Sequence, residues 1–203
     1  IDISSKGGYY FLPEDSIDYF YYNAPFYMDS IRENVPNIQT IESQMNFFIE
    51  DSLPACFDYF SNFEAKGMKV TQEGTKIYTS IENTEIDIMA EILITATKGE
   101  KTEEYKDFSS KVKNVEIPKL IQLSKEIVNG QLRDTTSMCV TCLDKKAEEY
   151  GLEVKVVETP NNNEFIFSIN DPKSNLTKNQ PLIFNFAARY DFPNCNSVEE
   201  CSK

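Results

Sequence analysis

The chain contains no histidine. That absence removes Ser-His and Cys-His nucleophile pairs, Cys₂His₂ zinc and imidazole acid/base work before any motif is weighed. Positive charge is also scarce: 20 bases stand against 33 acids, a net charge of −13 whose field repels phosphate backbones and anionic membrane surfaces alike. Nucleic acid is therefore not an expected partner. No apolar run approaches the ~18 residues that a membrane span requires. With only 7 glycines and 9 prolines the chain is neither collagen-like nor low-complexity, and it holds no phosphate-cradling glycine loop. What is present is a globular composition, 40% hydrophobic and 12% aromatic over 203 residues, enough for one domain with a buried core.

The five cysteines are Cys56, Cys139, Cys142, Cys195 and Cys201. Cys195 and Cys201 lie in a polar tail, 191–203, where nothing apolar can bury a free thiol, so a small disulfide loop is the expected use. Such a loop persists only where thiols stay oxidised. Cys139-Val140-Thr141-Cys142 can be a redox motif, half a metal site or a structural pair. The redox reading wants a buried strand before the motif and a helix after it. Here the helix half fits, but the polar segment upstream is no strand. A Cys₄ zinc site would need a knuckle-like second pair, and five residues separate the tail cysteines. Cys56 is left over, as a buried thiol, a crossed pairing or a partner for something outside the chain.

Periodicity divides the chain into three stretches. Residues 1–36 form an aromatic arm: Tyr9, Tyr10, Phe11, Tyr19, Phe20, Tyr21, Tyr22, Phe26 and Tyr27, broken by Pro13 and Pro25, describe an extended segment and not a helix face. Such a segment packs on the domain's own core or forms an exposed binding strip, and Tyr19, Tyr21, Tyr22 and Tyr27 are the candidate contact residues of the second reading. Residues 37–190 follow as one α+β body. From Asn37, a plausible N-cap, the residues Ile38, Ile41, Met45, Phe48, Ser52, Cys56, Phe60 and Phe63 trace a helical stripe up to a stop at Gly67, with a kink or a break expected at Pro54. On that stripe the Cys56 thiol should face the core or a covering segment, not solvent. The period then falls to two over 76–81 and 85–97, with a polar strand near 105–112, an antiparallel meander. Two shorter helices, beyond Pro118 and over about 139–150, precede a second antiparallel three-stranded segment at 152–157, 164–169 and 182–190. The expected order is thus a long helix and a meander, then two helices and three strands, in halves 37–116 and 117–190 that would pack together.

The acids offer no assembled chemistry. Glu14-Asp15-Ser16-Ile17-Asp18 alternates carboxylates as a hard cation would like, yet lacks the glycine and distal glutamate of an EF-hand loop. Neighbouring pairs such as Glu103-Glu104 and Glu148-Glu149 diverge on any regular element and read as solvated surface. No catalytic residue, metal or cofactor is expected. Asn175-Leu176-Thr177 is the single sequon, compatible with glycosylation of a secreted chain.

Several of these motifs occur together: Gly7-Gly8-Tyr9-Tyr10 with Leu12-Pro13; Ile41-Glu42-Ser43-Gln44 ahead of Leu53 and Cys56; Phe60 and Phe63 before Gly67; and Phe184-Asn185-Phe186-Ala187-Ala188-Arg189-Tyr190. This set resembles uncharacterised membrane-anchored proteins of small-genome archaea of the woesearchaeal and nanoarchaeal type, over residues 7 to 190. The resemblance implies a transmembrane helix upstream of Ile1, an extracellular body, and an upstream cysteine as partner for Cys56. It carries over no catalytic residues, and the tail cysteine loop is not a feature of the group. The functional expectation is a non-enzymatic cell-surface ectodomain acting in surface interaction, adhesion or envelope assembly, with a protein or cell-envelope partner. The alternatives are a thiol-disulfide oxidoreductase using Cys139 and Cys142, and a pilin-like filament subunit.

Overall fold

A computed structural model describes residues 2–57, 60–134, 138–177 and 180–190. The fold is α+β, but it does not begin with the long helix. After a single helical turn, α1 (Asp2–Ser5), the aromatic stretch forms β1 (Ser16–Tyr19), β2 (Tyr22–Asp29) and β3 (Arg32–Glu33). The expected element order is corrected at this point: strands come first. The reason is tertiary. Strand β2 docks in parallel beside the last strand, β10 (Gln180–Arg189), pairing Phe26 with Ala187 and Met28 with Ala188. A parallel pairing of segments this distant leaves no local signature.

That strand completes a six-stranded mixed sheet in the order β1-β2-β10-β9-β8, with β3 also on β2; β8 is Glu153–Glu158 and β9 is Glu164–Thr177. One face carries Tyr27, Phe167, Ile169, Leu182, Phe184, Phe186 and Tyr190 in the main core. Phe186 stacks between Tyr27 (4.8 Å) and Phe167 (5.1 Å). Each such ring contributes roughly 1.5–3 kcal/mol through removal from water. The other face holds a smaller cluster of Ala24, Phe26, Ile166 and Ala187, with Ile17, Tyr19, Tyr22 and Val157 packed on it.

Helix α4 (Ile117–Arg133) opens with Pro118 in its first turn, and buries Leu120, Ile121, Ser124, Ile127, Val128 and Gln131 at steps of three and four. Beside it, α5 (Val140–Tyr150) buries Leu143 and Ala147. The meander forms a second sheet. Strands β4 (Lys69–Ile81) and β5 (Glu85–Lys98) pair along their length, and β6 (Lys101–Tyr105) and β7 (Phe108–Lys113) share the far edge of β5. One face of this sheet, with Ile77, Ile81, Ile86 and Ile88, meets the core and the long helix α2 (Ile38–Phe57). The short helix α3 (Ser61–Glu64) follows.

Helix α2 begins as its sequence dictates, the Thr40 N–H donating to Asn37 Oδ1 at 2.8 Å. It continues through Pro54 to Phe57. Its polar sides hold the neighbours. The Ile81 and Ile77 backbone N–H groups of β4 donate to Glu42 Oε1 (2.8 Å) and Glu50 Oε1 (3.2 Å), so carboxylates eight residues apart cap the exposed edge of the strand. On another side Gln44 Oε1 accepts both the Tyr10 N–H (3.0 Å) and the Phe11 N–H (2.9 Å), while the Tyr10 hydroxyl donates to Asp51 Oδ2.

Candidate functional site

The β1–β2 hairpin closes with Tyr19 opposite Tyr22, leaving a two-residue turn of Phe20 and Tyr21. Turns of this kind ask for Gly or Asn where φ is positive. Phe20 sits there at φ 53°. Phe20 is 79% exposed and Tyr21 97% exposed. The two flanking tyrosines are half-buried on the small cluster beneath, and the Tyr19 ring meets Phe20 edge-on at 4.6 Å. The result is an aromatic tip on an anchored stem. Of the expected contact strip, Tyr21 is on the surface and Tyr19 and Tyr22 form the mount. Tyr27 is corrected: it is fully buried, its hydroxyl donating to Gly7 O at 2.5 Å, and burial pushes its phenol well above the usual value. Tertiary pairing decided this: beside β10 the strand β2 is buried on both faces, and Tyr27 joins the main core against Phe184 and Phe186. Phe20 was the missed residue. Its signal was a two-residue interval between alternating runs with no Gly, Asn or Asp in it.

Cys139 and Cys142 are disulfide-bonded across the first turn of α5, both at the surface, with Cys139 as N-cap residue. Among the described residues the regular element preceding the motif is the helix α4, not a strand. Cys56 is a free cysteine and exposed, which corrects the expectation that it faces the core or a covering segment. It does lie on the apolar stripe of α2, but Ile41, near the start, is the only residue of that helix to be fully buried. The stripe outruns the surface that would cover it. Cys195 and Cys201 lie outside the described residues. Asn175 is within β9, in register with Pro181 of β10. Among the described residues no group of acids and cysteines is arranged to hold a metal ion.

The Gly7-Gly8 pair and the Phe184–Tyr190 segment meet where the N-terminal segment docks. A Cβ on Gly7 would lie 2.6 Å from Asn185 O, and one on Gly8 would lie 2.9 Å from Ile41 Cγ1, so these glycines allow the chain to pass between β10 and α2. Asn185 donates to Ser5 O at 2.9 Å, and the Tyr190 hydroxyl donates to Gln131 Oε1 at 3.0 Å. Arg189 closes the system. Its guanidinium reaches Glu164 (3.0 Å), Asp29 (3.0 Å) and Asp15 (3.4 Å) and lies 4.0 Å from the centre of the Phe26 ring. Asp15, weighed above as a cation ligand, is thus an arginine partner.

Beneath α2 the packing is incomplete. An apolar cavity of about 220 Å³ lies between α1, α2, the inner face of the second sheet and β10, lined by Ile41, Met45, Phe48, Ile88, Val112 and Phe184 among others. Helix α2 does not settle into it, because Glu42, Glu50 and Gln44 already hold it at the β4 edge and the N-terminal segment. A broader depression of about 550 Å³ lies on the second sheet around Tyr78, Met89, Ser109 and Lys111, with Lys111 bridging Glu85 (2.9 Å) and Asp87 (2.8 Å).

None of the described helices is long and apolar enough to cross a membrane. Comparison with known protein families, with characterised proteins and with solved structures finds no match to the chain.

Proposed function

We propose that the chain is a non-enzymatic extracytoplasmic ectodomain of a membrane-anchored surface protein, which engages a protein or cell-envelope partner through the aromatic tip of its β1–β2 hairpin. The observation that carries the reading is Phe20, a bulky side chain held in left-handed backbone and turned to solvent beside Tyr21. A non-glycine residue in that conformation costs about 1–2 kcal/mol, and Gly or Asn would relieve it. Retaining Phe there trades stability for a surface feature, and rigid aromatic rings are the usual anchors of protein contacts. The Cys139–Cys142 disulfide and the resemblance to anchored archaeal proteins support the extracytoplasmic assignment. The test is a pull-down against envelope material with Phe20→Ser/Tyr21→Ser. These positions are replaceable without touching the mount, unlike Tyr19 and Tyr22. Partners should be lost while the melting temperature holds or rises; unchanged recovery counts against the tip.

The exposed disulfide at the start of α5 favours a second reading, thiol-disulfide exchange. A substrate dithiol would give two electrons and two protons to the Cys139–Cys142 bond, becoming a disulfide as the two thiols are released. In an insulin-reduction assay dithiothreitol serves as that dithiol and the insulin disulfides take the two electrons onward, and comparison of the chain with Cys139→Ser decides it: equal background rates eliminate the exchange reading.

A further inference from the structure

We infer that the cavity beneath α2 is a binding site for the hydrocarbon chain of a single-chain amphiphile, of the size of a medium-chain fatty acid. The site is distinct from the hairpin tip and does not depend on it. Three observations carry the inference. First, the space is real by volume: about 220 Å³ exceeds the ~150 Å³ of apolar cavities that stay dry and take up benzene or xenon. Secondly, its chemistry is one-sided. The lining comes from α1, α2, β5, β7, α4 and β10, and apart from Ser4 and Gly8 it is built of Ile, Met, Phe, Val and Leu side chains. A charged or strongly polar ligand would lose its hydration there with little in return, whereas a hydrocarbon loses nothing. Thirdly, the cavity is not sealed. Met45, Phe48 and Ile49 of α2 line it while remaining half-exposed, so the helix forms a wall with one flank at the surface. A chain can enter past that flank and leave its polar head in water.

The same geometry explains a feature of α2 that the fold alone does not. Within its first three turns Ile41 alone is fully buried, while Met45, Phe48 and Ile49 of the same stripe border the cavity. A hydrocarbon in the cavity would complete the packing of Met45 and Phe48. Two acyl chains would not fit the volume, which restricts the ligand to one.

The probes are octanoate, read by calorimetric titration and by thermal unfolding, and benzene as a headless control. Octanoate should bind saturably at one site per chain and raise the melting temperature. Ile88→Phe, which fills the space from the sheet side, should weaken octanoate at least about tenfold. Val112→Leu, a smaller intrusion from β7, should weaken it in the same direction and keeps the test intact if the larger side chain prevents folding. Binding of benzene without octanoate overturns the amphiphile assignment. Absence of saturable binding by either probe, or octanoate binding unaltered in both variants, overturns the site.

Discussion

Replacing Arg189 with leucine tests whether the N-terminal strands are held by charge or by packing alone. The side chain joins three segments at once: Asp15 before β1, Asp29 at the end of β2 and Glu164 at the start of β9. Exposure sets the magnitude. Arg189 is 31% exposed and Glu164 only 12%, whereas Asp15 is 48% exposed. A solvated pair such as that with Asp15 is worth about 0–1 kcal/mol. A carboxylate stranded in a buried site costs about 3–5 kcal/mol. Glu164 lies between these limits, and loss of the Phe26 contact adds about 0.5–1 kcal/mol. The expected cost of Arg189→Leu is therefore about 2–3 kcal/mol. For a chain of this length that lowers the melting temperature by roughly 5–10 °C, at ~2–4 °C per kcal/mol. Urea denaturation at constant m-value measures it. Adding Glu164→Gln to the leucine variant should return about 1 kcal/mol, because the stranded charge is gone. A loss under about 0.5 kcal/mol, or strictly additive single substitutions, would refute the clasp.

Two further outcomes follow from side chains that bridge elements. Gln44→Ala removes the one oxygen that accepts from both Tyr10 and Phe11, so hydrogen exchange at those two amides should accelerate about two- to tenfold, at ~0.5–1.5 kcal/mol per bond. Gln44→Glu keeps the acceptor and should keep the protection; equal protection in the alanine variant rejects the role. Glu126 is held down to about 2 from an ordinary 4.5, first by the Lys146 ammonium, then by the Tyr150 hydroxyl and Gln122. Its folded-state pKa lies below the unfolded one, so its contribution is complete above the unfolded value and fades as pH falls toward about 2. Glu126→Gln should thus be less stable than the parent at pH 7 by about 1 kcal/mol, a figure reduced for solvent screening, with the gap closing in acid. A gap that is constant down to pH 2 would disprove the linkage.

Local elements were legible wherever a residue meets its neighbours in sequence. Asn37 caps α2, Pro118 opens α4, and the alternation in 76–81 and 85–97 marks strands that extend to β4 and β5. The absence of histidine limited the chemistry without any coordinates. What tertiary structure decided is which faces are covered. Cys56 and Ile41 share one helical stripe, but the core ends between them, so one is exposed and the other buried. Tyr21 and Tyr27 belong to one aromatic run, yet a turn presents the first to solvent and the parallel β2–β10 pairing buries the second. Periodicity is a property of short segments, and it states where a side chain would point. Burial depends on what arrives opposite, and here that partner comes from about 160 residues away, as in the Asp29–Arg189 pair.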